Sequence, residues 1–336
     1  MPKPKLLIVE LWGLGDLVIA TPFLRAATEK FDVTVLAKPF ALDLQPRFWP
    51  EIKVVAFNAP WTAFKKKYHL WRWPILEMIR LRRKLAAEQF DFGLSARRVA
   101  SFPLSGDLRD HLLLKLFGVK NRIGFPFLGS RILLTQPLIR PEPQSHRYES
   151  WRAAGNALGI ELPPREKISI AATPKHETIL IHSGAGQAVR VWPLERYKNL
   201  ASRLRQKHFQ VQVACDPDQR DGWLRDGEIE IATPKTVAEL ISLIDRAGAF
   251  IGNDSGPGHL AAFCGVPTFT IFGPQLPEWF APLHPQAEWI EGKACPYKPC
   301  SDYCRFSKPF CIQDLSEEEV WPRVEQFLKN VKPLNR

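Results

Sequence analysis

The stretch of residues 252–274 contains residue types that bind phosphate groups. Gly256 lets an anion approach the backbone, and the Ser255 hydroxyl can donate a hydrogen bond. Asp254 can accept a hydrogen bond from a sugar or ribose hydroxyl, and His259 can add a donor one turn later. A helix N-terminus at this point would add free backbone amides and a partial positive charge. The alternative is a capped helix whose Asp and His are ordinary, satisfied polar groups.

These candidate residues stand between two predicted strands. The apolar run 249–251 predicts a buried strand, and the β-branched and aromatic run 268–272 predicts the next one. Between them residues 259–264 predict a helix, which Gly265 can end in a left-handed C-cap. The start of this helix would therefore face the ligand crevice at the carboxyl ends of the strands.

A second possible phosphate cradle lies earlier in the chain. Residues 178–182 predict a strand, and Gly184 and Gly186 follow it in a loop of small residues. Arg190 then stands just before a helix whose first turn suits Pro193. A loop of small residues before a basic residue and a helix N-terminus is typical of phosphate binding.

The N-terminal region has a similar arrangement. Residues 5–11 predict a buried strand and residues 17–30 a helix, and the turn between them contains Gly15 and Asp16. Strands separated by helical lengths indicate β-α-β units and a doubly wound parallel sheet. A dinucleotide fingerprint would need a third glycine where Val18 stands, so NAD binding is a weak alternative. On residue chemistry alone, Asp16 predicts a helix cap.

Two further pairs of polar residues follow predicted strands. Arg97 and Arg98 stand at the carboxyl end of one strand, where they could bind a phosphate or carboxylate of an acceptor. Lys235 and Thr236 stand in a loop before a predicted helix. Both pairs are therefore candidate ligand contacts.

Length and composition limit the class of protein. A chain of 336 residues predicts two domains, and a net charge of +11 predicts an anionic partner. No apolar run is long enough to cross a membrane, and the first residues do not resemble an export signal. These features favour the cytoplasm, where six cysteines would not form a disulfide framework.

Residues 61–84 form a basic, aromatic segment with eight Lys or Arg residues and a single acid. Such a segment can dock on the inner face of the cytoplasmic membrane or bind an acidic lipid-linked acceptor. The alternative is a solvated basic helix whose Ile75, Met78, Ile79 and Leu81 face the core. No recognisable nucleic-acid module accompanies the segment, so no nucleic-acid partner is expected.

The whole stretch from residue 254 reads Asp-Ser-Gly-x-x-His-x-Ala-Ala-x-x-Gly-x-Pro-Thr-x-x-x-Phe-Gly-Pro. Together with the Gly15-Asp16 pair and Trp192-Pro193, it resembles the signature of glycosyltransferase family 9, the ADP-heptose:lipopolysaccharide heptosyltransferases. The resemblance implies an α/β fold of the GT-B type, with two facing Rossmann-like, doubly wound domains. Residues 1–165 would bind the acceptor. Residues 178–336 would bind the nucleotide sugar and include a Cys-rich loop at 295–311 and the C-terminal helix.

The resemblance also implies roles for individual residues. Asp16 matches the proposed catalytic base of the family. Residues expected to bind the donor are Gly184, Gly186, Arg190, Lys235, Thr236, Asp254, Ser255, Gly256 and His259. Residues expected to bind the acceptor are Gly15, Arg97 and Arg98. Arg190 stands where several members have Lys, and the glycines stand where some have Thr, which leaves the donor's identity open.

The expected function is therefore inverting transfer of a heptose from ADP-heptose to a lipopolysaccharide inner-core type acceptor. The scheme requires no metal or other cofactor. The protein is expected in the cytoplasm, peripherally bound at the inner face of the membrane. Two alternatives remain: a GT-B enzyme using another nucleotide sugar, and a non-catalytic protein that binds nucleotides or nucleic acid.

Four cysteines cluster near the C-terminus with the spacing Cys-x4-Cys-x3-Cys-x6-Cys. Cys295, Cys300, Cys304 and Cys311 could together hold a structural zinc ion, although the spacing lacks zinc-finger knuckles. The alternative is a reduced loop packed by aromatic side chains. A similar Cys-rich loop occurs in the second heptosyltransferase group.

Overall fold

The computed structural model describes residues 2–63, 69, 71, 73–98, 107–127, 129–170, 176–225, 231–300 and 303–331. The chain divides into two compact units, Met1–Pro163 and Pro164–Arg336. Each unit is built on its own parallel sheet, and each is described separately below.

The described part of the first unit alternates strands and helices. Its strands are β1 Lys5–Glu10, β2 Asp32–Ala37, β3 Lys53–Ala56, β4 Phe92–Ser95, β5 Asn121–Gly124 and β6 Gln136–Pro137. Its helices are α1 Leu14–Lys30, α2 Ala41–Phe48, α3 Ile75–Ala87, α4 Leu108–Leu116 and α5 Tyr148–Ala157. All strand pairs are parallel, in the order β3-β2-β1-β4-β5-β6. Helices cover both faces of such a sheet, which explains why β1 is an almost continuous apolar run.

The described part of the second unit repeats this plan. Its strands are β7 Thr178–His182, β8 Gln210–Ala214, β9 Ile231–Ala232, β10 Ala249–Asn253, β11 Thr268–Phe272 and β12 Ala287–Glu291. Its helices are α6 Leu194–Gln206, α7 Arg220–Leu224, α8 Val237–Ile244, α9 Gly256–Phe263, α10 Pro277–Phe280, α11 Phe310–Gln313 and α12 Glu317–Asn330. The parallel strand order is β12-β11-β10-β7-β8-β9. The doubly wound fold predicted from the sequence is confirmed in both units.

The strand order in each sheet reverses direction at one place. In the first sheet the reversal lies between β1 and β4, and in the second it lies between β7 and β10. Open parallel sheets bind ligands in the crevice that this reversal leaves at the carboxyl ends of the strands. The fold therefore directs attention to the residues just after these four strands.

Candidate functional site

Asp16 lies in the first turn of α1, directly after the carboxyl end of β1. The helix begins at Leu14 rather than at Leu17, because Gly13 adopts an extended conformation and serves as the N-cap. The Gly13 N–H donates a hydrogen bond to Asp16 Oδ2 at 3.2 Å. Asp16 thus caps its own helix, as its residue type alone predicts, and the same side chain also lines a cavity.

That cavity is open to solvent and lies at the reversal point of the first sheet. Two carboxylates, three arginines and three apolar residues line it: Glu10, Asp16, Ile19, Ala96, Arg97, Arg98, Arg147 and Trp151. The structure therefore brings together Asp16, Arg97 and Arg98, all of which the sequence analysis singled out. The sequence analysis missed Glu10 and Arg147. Glu10 could have been found, because it is a charged residue at the end of a buried apolar strand. No comparable feature of the sequence points to Arg147.

Glu10 ends β1 and is almost completely buried. Its Oε1 accepts a hydrogen bond from the Trp12 N–H at 3.3 Å. Burial raises the pKa of the Glu10 carboxyl to about 8, with repulsion from Asp16 adding to the shift and Arg97 opposing it. Burial likewise raises the pKa of nearby Asp110, on α4, to about 7, and repulsion from Asp107 adds to it. At neutral pH Glu10 is therefore mostly a neutral acid that can donate a hydrogen bond.

Replacing Glu10 with glutamine is expected to make the free energy of unfolding less dependent on pH. An ordinary glutamate loses its proton near pH 4.5, whereas the folded protein keeps the Glu10 proton to about pH 8. The wild-type protein therefore loses stability as the pH rises through this range, and glutamine, which mimics the neutral acid, removes that contribution. The slope should become shallower by up to about 1.4 kcal/mol per pH unit.

Urea denaturation at about pH 5, 6.5 and 8 measures this slope. Glu319→Gln provides the control, because Glu319 is exposed and hydrogen bonding to Lys293 holds its pKa below this range. Equal slopes for wild-type protein and Glu10→Gln would contradict the prediction.

Arg97 is held in place by two neighbours. Its guanidinium carbon lies 3.3 Å from the centroid of the Trp12 ring, and its Nε lies 3.5 Å from Asp107 Oδ2. Asp107 is itself fixed as the N-cap of α4, where its side chain accepts a hydrogen bond from the Arg109 N–H. An aromatic face and one carboxylate orient a guanidinium without using all of its donors. Arg97 can therefore still bind an anionic group in the cavity.

Arg98 and Arg147 have different surroundings from Arg97. Arg98 Nη1 donates to the Glu142 carbonyl at 3.1 Å, and its Nη2 donates to the Ser145 carbonyl at 2.7 Å. These bonds fix the loop that leads into α5, and the acceptor contact of Arg98 stays a prediction. Arg147 precedes α5, and burial lowers the pKa of its guanidinium, while attraction to Asp16 opposes this effect. Both arginines make the cavity a site for anions.

In the second unit, Asn253 joins the carboxyl ends of β7 and β10. Its Oδ1 accepts hydrogen bonds from the Trp192 N–H and the Tyr197 hydroxyl, both at 2.9 Å. Its Nδ2 donates to the carbonyls of Ser183 and Gly184, at 2.8 and 3.3 Å. All these atoms are buried, so Asn253 fixes the loop after β7, the segment before α6 and the turn after β10 relative to one another.

The next residues form a polar group at the start of α9. Arg190 Nη1 lies 3.4 Å from Asp254 Oδ2, and Asp254 is buried. Ser255 is the N-cap residue, but its hydroxyl donates to the Asn253 carbonyl at 3.2 Å rather than capping the helix. His259 follows within the helix and is buried. The structure therefore brings Arg190 to the end of β10, beside the helix N-terminus that begins at Gly256.

The two glycines of the loop after β7 have different environments. A Cβ atom at Gly184 would lie 2.3 Å from Asp216 Oδ2, so the Asp216 carboxylate packs directly on the glycine backbone. Any larger residue at position 184 would displace this carboxylate. Gly186 is exposed, and its backbone is open to a ligand. The predicted phosphate contact of each glycine stays a prediction.

Lys235 and Thr236 lie at the start of α8, after β9. The Thr236 hydroxyl accepts a hydrogen bond from the Glu239 N–H at 3.1 Å, and the Lys235 N–H donates to Glu239 Oε2 at 2.7 Å. Both residues are exposed, and their strand lies two positions from β7 in the sheet. The structure thus places them at the same edge of the sheet as Asn253, without a contact that ties them to it in the described residues.

The four clustered cysteines lie in the described part of the chain. Cys311 is buried, whereas Cys295, Cys300 and Cys304 are partly exposed. Burial raises the pKa of the Cys311 thiol to about 11, with the Cys300 thiol adding to the shift. Among the described residues, no three His, Cys, Asp or Glu side chains are grouped so that they could hold a metal ion.

Each unit therefore offers a different kind of chemistry at its reversal point. The cavity of the first unit combines carboxyl groups, which can accept or hold a proton, with guanidinium groups that bind anions. The second unit combines Arg190 with a helix N-terminus, an arrangement that stabilises negative charge on phosphate oxygens. Together these are the parts needed to activate a nucleophile and to stabilise a phosphate leaving group.

Comparisons with known proteins identify relatives of this chain. Residues 78–309 match the model of "Glycosyltransferase family 9 (heptosyltransferase)". The chain is 24% identical to lipopolysaccharide heptosyltransferase 1 of Pseudomonas aeruginosa, over 96% of this chain and 98% of that protein. It is 31% identical to lipopolysaccharide heptosyltransferase 3 of Escherichia coli K12, over about a third of each protein: 30% of this chain and 31% of that one.

Solved structures give the same picture at the level of the fold. A glycosyltransferase family 9 protein from Veillonella parvula has a TM-score of 0.75 at 18% identity, covering 97% of this chain and 98% of that one. The E. coli heptosyltransferase WaaC with ADP has a TM-score of 0.72 at 16% identity, covering 96% of this chain and 99% of that one. At these identities the likeness shows the fold alone, and it is the fold of the GT-B heptosyltransferases.

Proposed function

The chain belongs to glycosyltransferase family 9 (heptosyltransferase) and is a glycosyltransferase, and from this premise we propose that it transfers a heptose from ADP-heptose to a lipopolysaccharide inner-core type acceptor. We propose further that the transfer inverts the anomeric centre and needs no metal ion. The observation that most directly supports this is the pair of reversal-point sites, one with carboxyl and guanidinium groups and one with Arg190 at a helix N-terminus.

The proposed reaction begins in the cavity of the first unit. Asp16 accepts the proton of the acceptor hydroxyl, and the resulting oxygen nucleophile attacks the anomeric carbon of the heptose. Arg97 supports this role, because its guanidinium is fixed by Trp12 and Asp107 and can bind an anionic group of the acceptor. Gly15, and Arg98 in the wall of the cavity, are proposed to complete the acceptor site.

The proposed donor site lies in the second unit. As the new glycosidic bond forms, the bond between the anomeric carbon and the diphosphate oxygen breaks, and ADP leaves with the electron pair. Arg190, the backbone amides at Ser255 and Gly256, and the dipole of α9 would stabilise the charge on the departing diphosphate. Gly186 would add backbone amides, and Asp254 and His259 would contact the sugar or the phosphates. Lys235 and Thr236 would lie beside the adenine.

Replacing Arg190 with methionine is expected to weaken ADP binding about 10- to 100-fold, because methionine keeps the stem but removes the charge that would meet the diphosphate. Calorimetric titration of the full chain with ADP in EDTA measures this change. Arg246→Met is the matched control. Arg246 lies beyond the C-terminal end of α8, whereas the proposed ligand contacts Lys235 and Thr236 precede its N-terminal end, and the Arg246 Nε donates to the Ser242 carbonyl. The control should bind ADP within twofold of the wild-type protein.

Titration with UDP and GDP separates the proposed donor from its alternatives. Preference for ADP in the presence of EDTA agrees with a metal-independent ADP-heptose site. Tighter binding of UDP or GDP would instead favour an enzyme that uses another nucleotide sugar. The donor-site assignment would be wrong if Arg190→Met bound ADP as tightly as the wild-type protein does. It would also be wrong if the Arg246→Met control lost ADP binding.

We further propose that the acceptor is an anionic, lipid-linked saccharide and that the protein works peripherally at the inner face of the cytoplasmic membrane. Within the described residues, no helix has both the length and the apolar character that membrane crossing requires. The net charge of +11 supports attraction to anionic lipids and acceptors. Of the basic segment 61–84, residues 64–68, 70 and 72 lie outside the described residues.

A further inference from the structure

Helices α3 and α4 of the first unit pack on the same side of its sheet. Leu85 of α3 and Leu114 of α4 are buried in one hydrophobic cluster, together with Val9 of β1. Met78 and Leu81 of α3 pack against this cluster from its edge. Because their inner faces share one core, the outer faces of the two helices point to the same side of the unit.

These outer faces carry large apolar side chains. On α3, Leu76 is 72% exposed, and Ile75 and Ile79 are also exposed, in contrast to the alternative interpretation in which both isoleucines face the core. On α4, three leucines at intervals of one turn, Leu108, Leu112 and Leu116, are each 44% exposed.

Two neighbouring side chains extend this exposed apolar surface. Trp71 lies just before α3 and is 78% exposed. Ile132 lies in a short turn of helix that packs against α4, and it is 86% exposed. Contiguous exposed apolar surface on a protein usually marks an interaction site.

The same faces are strongly basic. The exposed basic side chains on these faces are Arg80, Arg83 and Lys84 of α3 and Lys115 of α4, whereas Glu77 is an exposed acid. At 100° per residue, Leu76, Ile79, Arg80 and Arg83 fall on the outermost side of α3. Apolar and basic groups are therefore mixed on one surface rather than separated.

We propose that the outer faces of α3 and α4 form one docking surface for an anionic lipid bilayer. This inference rests on the proposed function for its biological purpose. An enzyme that is bound to the bilayer can reach an acceptor whose lipid is embedded in that bilayer. Leucine, isoleucine and tryptophan side chains enter the interfacial region, while the long Arg and Lys side chains extend to the lipid phosphates. Two helices give the surface more contacts than the segment 61–84 provides alone.

The charge pattern favours a bilayer over a second copy of the chain. Two copies that met through this surface would bring four basic side chains of each copy towards those of the other. Like charges placed opposite each other disfavour association, and the centres of protein interfaces are usually poor in charged residues. An anionic bilayer instead attracts each basic residue and accepts the apolar ones.

Co-sedimentation of the full chain with vesicles tests this proposal. We expect binding to vesicles of phosphatidylethanolamine and phosphatidylglycerol at about 3:1, and at least tenfold weaker binding to pure phosphatidylcholine vesicles. The double variant Leu76→Glu/Leu112→Glu, with one change on each helix, should lower the partition constant at least tenfold, and so should Arg80→Glu/Arg83→Glu. The matched control Leu224→Glu/Tyr303→Glu changes exposed apolar residues of the second unit and should alter binding less than twofold.

Two further measurements make each outcome decisive. Circular dichroism melting curves should show that the variants remain folded, since all four positions on α3 and α4 are exposed. Equal binding of both vesicle types by the wild-type protein, or wild-type binding by the folded double variants, would overturn the proposal. A wild-type dimer that Leu76→Glu/Leu112→Glu converts to a monomer without loss of vesicle binding would identify the surface as an interface between copies.

Transfer to a water-soluble, deacylated acceptor separates this proposal from the proposed function. Leu76→Glu/Leu112→Glu should keep transfer to that acceptor within about twofold of the wild type while losing vesicle binding. An absence of transfer by the wild-type protein would count against the proposed function and would leave the vesicle result unaffected.

Discussion

Asp16→Asn is expected to lower kcat for heptose transfer about 10²- to 10⁴-fold, because asparagine cannot accept the proton of the acceptor hydroxyl. The amide oxygen of asparagine can still accept the hydrogen bond from the Gly13 N–H, so the start of α1 should be preserved. The rate of ADP release from ADP-heptose, measured with and without a deacylated inner-core acceptor, reports the change. Binding of ADP should remain within twofold, because Asp16 belongs to the first unit and Arg190 to the second.

A second helix of this chain provides the control for the capping role. Glu319 accepts a hydrogen bond from the Ser316 N–H at 2.9 Å at the start of α12, just as Asp16 does from Gly13 at the start of α1. Glu319→Gln replaces a capping carboxylate by an amide, as Asp16→Asn does, but far from the proposed base. It should leave kcat within twofold of the wild type. If Asp16→Asn kept more than a third of the wild-type kcat, Asp16 would be a structural cap and not the base.

Asn253→Leu is expected to lower the free energy of unfolding by about 3–5 kcal/mol, because each buried polar group that loses its partner costs about 1–3 kcal/mol. Leucine has the same number and branching of side-chain heavy atoms as asparagine but cannot pair with the Trp192 N–H, the Tyr197 hydroxyl or the carbonyl of Ser183. Total stabilities of domains lie near 5–15 kcal/mol, so this loss is large. Urea denaturation at neutral pH measures it.

Two other variants show whether the hydrogen bonds cause this effect. Asn121→Leu makes the same replacement at an exposed position, where the side chain makes one hydrogen bond to the Asp91 carbonyl, and it should cost less than about 1 kcal/mol. Tyr197→Phe removes the hydroxyl that Asn253→Leu would leave unpaired, so the double variant should be more stable than the sum of the single effects predicts. Additive effects would show that the Tyr197 hydroxyl contributes nothing through Asn253.

Local sequence patterns were sufficient to predict the fold and the order of its motifs. Apolar runs such as 249–251 and 268–272 are too short for helices and rich in β-branched or aromatic residues, so they predict strands from local chemistry alone. Alternation of strands with helical lengths then leaves a doubly wound parallel sheet as the arrangement that buries them. The signature around Asp254 and His259 indicated the family, which the comparisons confirm.

Which side chains share a site depends on contacts between distant parts of the chain. Glu10, Asp16 and Arg97 meet in one cavity because β1 and β4 are neighbours in the sheet, a pairing that no local pattern encodes. Arg147 joins them because α5 packs against α1. The structure also gives each polar residue its partners. Arg98 uses both terminal nitrogens on the loop before α5, although its position after a strand predicted a ligand contact.

The face of a helix that is buried also depends on tertiary packing. The pattern of α3 is compatible with several faces turned inward, and the alternative of a solvated helix placed Ile75 and Ile79 in the core together with Met78 and Leu81. In the structure Leu85 sets the inward direction by entering the shared core, which turns both isoleucines to the outside. Local sequence fixes where a helix begins and ends, but the partners that pack against it fix its rotation, because burial depends on contacts with distant parts of the chain.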